Sequence, residues 1–246
     1  MNYTGNRMGF KVRGYTREVP QEKVRDYSLF AIACEGTERE PEYFKPFDGI
    51  DRIKVDIIEP EPIEEDGDQV TRPGSSPSQV LERVQEYVDK YQLSAEGGDS
   101  LWCVIDVDRW PQEQIEALHA YCDQKENRHL VISNPCFEIW LLYHKLEDLS
   151  SLGIETAKDA KRVLGAIDGG YYYIKYLPLV LDAIKNASNA DKNPDSFMPE
   201  LLETKVYKLG RAMYERMGKV RFEQFVVSLQ ELEQVILNKR NRDVIV

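Results

Sequence analysis

Two short apolar runs, each stopped by acids, limit what this chain can become more than any other feature. The first, Leu29-Phe30-Ala31-Ile32-Ala33-Cys34, ends at Glu35-Gly36-Thr37-Glu38, and the second, Ser100-Leu101-Trp102-Cys103-Val104-Ile105, ends at Asp106-Val107-Asp108. Apolar positions without alternation, bounded at once by polar and turn residues, fit strands covered on both faces. Two further strands are expected at 52–58, where charged and apolar side chains alternate, and at 129–132. Between them Val80, Val84, Val88 and Tyr91 fall on one helical stripe that Ser76 or Ser78 can cap, and Ile115, Leu118, Tyr121 and Cys122 follow Pro111. Strands separated mostly by helices predict an α/β fold: a four-stranded parallel sheet flanked by helices.

Gly36 permits a tight turn, Thr37 is a candidate N-cap, and Pro41 suits the first turn of a short helix carrying Tyr43, Phe44 and Phe47. Residues 59–78 are rich in Glu, Pro, Gly and Ser and predict a loop, read either as a lid or as plain disorder. After the fourth strand, Asn134 and Pro135 are a good N-cap and first helical residue for a helix that is apolar on nearly every side. Glu138 inside that helix is costly unless paired, hydrogen-bonded or bound to a cation. Beyond Leu149 helical spacing dominates, over 156–167, 172–185, 198–217 and 222–238, with Pro178 expected to kink or split the second. The organisation expected is a polar arm at 1–26, an α/β domain at 27–149 and an α-helical C-terminal region at 150–246.

The chain has 246 residues, 42% hydrophobic and 30% charged, the composition of a globular protein with a sizeable core. No apolar run reaches the roughly 18 residues of a membrane helix, so no membrane partner and a cytoplasmic location are expected. Cys34, Cys103, Cys122 and Cys136 lack metal-ligand spacing and read as reduced thiols, and the three scattered histidines argue against zinc. A net charge of −11 opposes broad attraction to nucleic acid, so such contacts need local basic patches. Candidates are Arg7, Lys11, Arg13 and Arg17 in the arm, and Lys205, Lys208, Arg216 and Lys219 on one helix face. A solvated surface is the plainer account of both. Tyr171, Tyr172, Tyr173 and Tyr176 read as packing residues before base-stacking ones.

In open α/β sheets ligands gather at the carboxyl ends of the strands, and both acid groups are delivered to that edge. Alternation by two puts Asp106 and Asp108 on the same side. Joined by Glu35, they form a cluster suited to Mg²⁺, which takes carboxylate oxygens, keeps waters for phosphates, and supports in-line displacement at phosphorus. Mn²⁺ would substitute. Arg39, Lys45 and Arg109 flank the acids as phosphate contacts or surface ion pairs. The plainer alternatives are that Glu35 and Thr37 only cap a helix, that Asp106 and Asp108 only lead into a loop, and that Glu138 is structural.

Glu35-Gly36-Thr37-Glu38 and Asp106-Val107-Asp108 in this order resemble the TOPRIM fold of topoisomerases, primases and OLD-type nucleases. With Tyr43-Phe44 and Ser133-Asn134-Pro135-Cys136-Phe137-Glu138-Ile139-Trp140-Leu141-Leu142 they look like the RloB family, over about residues 28–145. The resemblance implies a Mg²⁺-dependent nuclease acting on DNA or RNA, tRNA included, as the effector of bacterial anti-phage defence or abortive infection beside an ATPase partner. It implies Glu35, Asp106 and Asp108 as catalytic and metal-binding residues, Glu138 as a further ligand, and Glu38 as an outer ligand. A different class stays open: a non-catalytic TOPRIM-like module that docks on the ATPase or senses a phage component. A phosphotransfer receiver ranks last, because its paired acids would follow the first strand. Self-association is left open.

Overall fold

The computed structural model describes residues 25–60, 63–65, 68–70, 76–107, 110–169 and 171–243. Arg7, Lys11, Arg13 and Arg17 of the arm, together with Asp108 and Arg109, lie outside the described residues.

Four strands, β1 (Ser28–Cys34), β2 (Ile53–Ile57), β5 (Ser100–Asp106) and β6 (Arg128–Ser133), form one sheet in the order β2-β1-β5-β6, every neighbouring pair parallel. The two uninterrupted apolar runs are the two central strands, as burial on both faces requires. The alternation splits their side chains between two cores. Phe30, Ile32, Trp102, Val104 and Val131 face α1 (Arg39–Phe44) and the C-terminal helices. Ala31, Ala33, Leu101, Cys103, Ile105 and Ile132 face α2 (Pro77–Lys90) and α3 (Gln112–Cys122). Small side chains on the second face of β1 suit the close approach of α2, whose Arg83 donates to the Cys34 carbonyl at 2.8 Å. All four cysteines are free and buried.

α2 is capped as its sequence suggests. Ser76 accepts from the Gln79 amide and Gln79 reciprocates, a capping box that typically contributes about 1 kcal/mol. Four expectations change. Thr37 does not cap α1; Glu38 occupies that position without a side-chain cap bond, and the first turn carries Glu40 and Glu42 instead. The 59–78 stretch is not wholly loop, because β3 (Ile63–Glu65) and β4 (Asp68–Val70) pair antiparallel within it. The apolar helix α4 (Glu138–Tyr143) starts three residues after Pro135, and Asn134 is not its cap. Its amide donates to the Glu203 carbonyl, its side chain to the Pro199 carbonyl, and its own carbonyl accepts from Leu202, so its polar groups are committed elsewhere. Finally, the helix expected from 198 begins at 206, because residues 202–205 turn beside the end of β6, Leu202 at φ +68° and Thr204 bridged to Ser133.

α5 (Ala157–Asp168), α6 (Val180–Ala190), α7 (Val206–Met217) and α8 (Lys219–Asp243) complete the chain. Pro178 does interrupt its helix: two 3₁₀ turns, Tyr173–Lys175 and Leu177–Leu179, precede α6. Tyr176 is fully buried, and Tyr171, Tyr172 and Tyr173 pack against the same core. Among the described residues no helix is long and apolar enough to cross a membrane.

Candidate active site

β1 and β5 are adjacent and parallel, with Cys34 level with Val104. The residues that follow must therefore leave the sheet side by side. Glu35, only 4% exposed, turns its carboxylate across to the neighbouring strand: Oε2 accepts from the Asp106 amide at 2.9 Å and Oε1 from the Trp110 indole N–H at 2.8 Å. These two donors fix the orientation of an acid that burial alone would penalise. The carboxylates of two distant segments thus share one edge.

They open on a cavity of about 400 Å³. Its walls bring together Glu35, Glu38, Arg39, Asp106 and Glu138 from the predicted set, with Gly36, Thr37, Glu40, Phe137 and Lys161. Glu138, in the first turn of α4, is buried and ion-paired with Arg39. The predicted phosphate contact and the predicted metal ligand therefore face each other across 99 residues of sequence. Lys45 is exposed on the 3₁₀ turn after α1 and does not line this cavity.

Three residues escape sequence reasoning. Glu40 is 8% exposed, and burial together with the nearby Glu138 and Glu35 charges pushes its carboxyl up to about 7, against the opposing pull of its own and the Gly36 backbone N–H. Its signal was local: an acid in the first turn, four residues after Gly36, where the helix folds it back toward the turn. A Cβ on Gly36 would lie 2.2 Å from a Glu40 carboxylate oxygen, so glycine makes that return possible. Trp110 had the weaker signal of an aromatic just beyond the Asp-X-Asp pair. Lys161 had none, because α5 reaches the cavity only through tertiary packing.

The donor set is entirely carboxylate oxygen, the hard set that Mg²⁺ accepts; burial is the main cause that raises Glu40, and the Glu138 and Glu35 charges that add to it are ones a cation would offset. Among the described residues no three His, Cys, Asp or Glu side chains stand close enough to hold a metal ion by themselves. Lys205, one of the four residues of the expected basic face, is instead fully buried: its ammonium binds both Asp191 oxygens at 2.6 and 2.7 Å and the Asn193 carbonyl at 2.7 Å. His144 is also internal. Its Nε2 meets the Tyr43 hydroxyl at 2.8 Å, its Nδ1 meets the Trp140 carbonyl at 2.9 Å, and burial drives its pKa down to about 3.

Compared with known proteins, residues 30–213 match the family model described as RloB-like protein. No curated protein and no solved structure matches the chain.

Proposed function

The chain belongs to the RloB-like family, and we propose that it is a metal-dependent nuclease of TOPRIM type, the effector of a bacterial anti-phage defence system that works beside an ATPase partner. The observation that carries this reading is the bond from the Asp106 amide to Glu35, which holds acids from two strand ends at one cavity. Glu35, Asp106 and Asp108 would hold Mg²⁺ or Mn²⁺, with Glu138 joining once Arg39 releases it. The cation, when bound, supplies positive charge for phosphate oxygens and lowers the pKa of water. Among the described residues, Arg39, so released, and Lys161 are cations that line this cavity and can meet a phosphodiester there. Phe137 lines the cavity beside them.

Purified protein incubated with DNA and with tRNA, with and without Mg²⁺, tests the reading. Wild type should cleave at least one of them, and Glu35→Gln and Asp106→Asn should lose about 10²-fold or more of that rate. Equal cleavage by all three proteins refutes the assignment.

A second reading has its own support. Glu35 and Glu138 already have protein donors, and among the described residues no three acids stand close enough to hold a metal ion. This arrangement suits a non-catalytic module that docks on the ATPase. Calorimetry separates the two: Mg²⁺ or Mn²⁺ binding abolished by Asp106→Asn supports the nuclease, and its absence supports the module.

A further inference from the structure

Beside the acid cavity lies a second recess of about 290 Å³, and the two share Gly36 and Thr37 as a common wall. Cys34 at the end of β1, Ile57 and Ile58 at the end of β2, Pro41 and Pro60 make most of its lining apolar. Cys34 and Ile58 are buried, whereas Thr37 and Glu59 are exposed and offer a hydroxyl and a carboxylate.

We propose that this recess receives one nucleobase of the substrate, so that the chain acts on nucleic acid with unpaired bases rather than on intact duplex. The inference rests on the nuclease reading above and names the substrate class of that same site.

A nucleotide has two unlike halves, an anionic phosphate and a flat ring with mostly apolar faces and polar edges. The two adjoining cavities differ in the same way: one is built of carboxylates and two cations, the other of isoleucine, proline and a thiol. A phosphate seated in the first leaves its attached ring next to the Gly36-Thr37 wall. Thr37 and Glu59 can bond a ring edge, the hydroxyl as donor or acceptor and the carboxylate as acceptor. The volume, about 290 Å³, falls just short of the roughly 300–1,000 Å³ of drug-sized ligand sites, which suits a single ring system. In a duplex the rings are stacked and paired, and only the backbone and groove edges can be touched. A base can enter a side recess only after leaving the stack, which is cheapest where it is unpaired.

The full chain should be tested with end-labelled RNA and DNA stem-loops in Mg²⁺, each also carrying an abasic site at successive loop positions. Binding of the same probes is followed by anisotropy in Ca²⁺. Cuts confined to the loop, slowed about tenfold when the base beside the cut phosphate is missing, are the expected result. Pro60→Trp, which fills the recess from a half-buried position, should weaken loop binding about as much while leaving the circular dichroism spectrum unchanged. Equal cutting of stem and loop, or indifference to the abasic site, overturns this inference and leaves the nuclease reading standing. Base-dependent loop binding without cleavage overturns the nuclease reading alone, and absence of both removes both.

Discussion

Among the described residues the Asp106 amide and the Trp110 indole each donate to one Glu35 carboxylate oxygen, and of these two the indole can be removed by substitution without touching the backbone. Trp110→Phe keeps the ring and deletes the N–H. A hydrogen bond to a charged group contributes about 1.5–3 kcal/mol, so urea unfolding should show a loss near the lower figure for this half-buried side chain. Cleavage should fall about tenfold as Glu35 loses its fixed orientation; an unchanged rate would mean that the indole only packs. Glu40 makes a separate prediction through its proton. Its ordinary pKa of 4.5 applies to the unfolded chain and about 7 to the fold, so across that window the folded state binds the extra proton. Stability contributed by this group therefore falls as pH rises from about 5 to 7. Thermal midpoints measured over that range should decline in wild type and decline less in Glu40→Gln. Added Mg²⁺ should flatten the wild-type curve, since a nearby cation favours the charged form.

At the scale of elements, the segment 202–205 ties the C-terminal region to the sheet edge by polar contacts. It lies along the edge strand β6 through the Lys205 amide to the Ile132 carbonyl and the Ser133–Thr204 contact, and the Lys205–Asp191 pair behind it is wholly buried. Tyr207 donates a further bond to Asp191 at 2.8 Å. Lys205→Met leaves a buried aspartate without its ammonium, so unfolding should cost about 3–5 kcal/mol less, measured by urea denaturation; Lys205→Met with Asp191→Leu should recover much of that loss. The same segment shows where sequence reading stops. The four parallel strands were legible because apolar runs and acids mark their bodies and ends within a few residues. The true start of α4 was hidden, because Asn134 gives its side-chain amide to a carbonyl 65 positions away instead of to its own helix. Lys205 read as a surface cation for the same reason: nothing near it in sequence announces Asp191 as its partner. The acid edge was legible at Glu35, Asp106 and Glu138, but Lys161 reaches the cavity only through the packing of α5.

For the molecule as a whole, the decisive fact is that one hydrophobic cluster crosses residue 149. Phe30 and Val104 of the sheet, Trp140 of α4, and Leu164, Ile184, Leu209 and Phe225 from α5 to α8 belong to a single packed set. Every residue of α4 is buried: Tyr43 of α1 packs edge-on against Trp140, and α5 and α6, beyond the expected boundary, pack on the same helix. Residues 25–149 expressed alone would lose the cover that α5 and α6 give α4, and the side chains uncovered there would form an exposed apolar patch of the kind a stable monomer avoids. At roughly 1.5–3 kcal/mol for each such side chain, the exposure exceeds much of the 5–15 kcal/mol that holds an ordinary domain together. The fragment should bind a hydrophobic dye and melt without a cooperative transition, whereas the full chain should unfold in one step. A cooperative transition in the fragment would show that the sheet stands by itself. The consequence reaches the cavity, because Lys161 lines it and the Tyr171 hydroxyl donates to the Arg39 carbonyl at 3.2 Å. Removing the helices takes away one wall and loosens Arg39, so metal binding measured by calorimetry should disappear with the cooperative fold rather than persist in the isolated sheet.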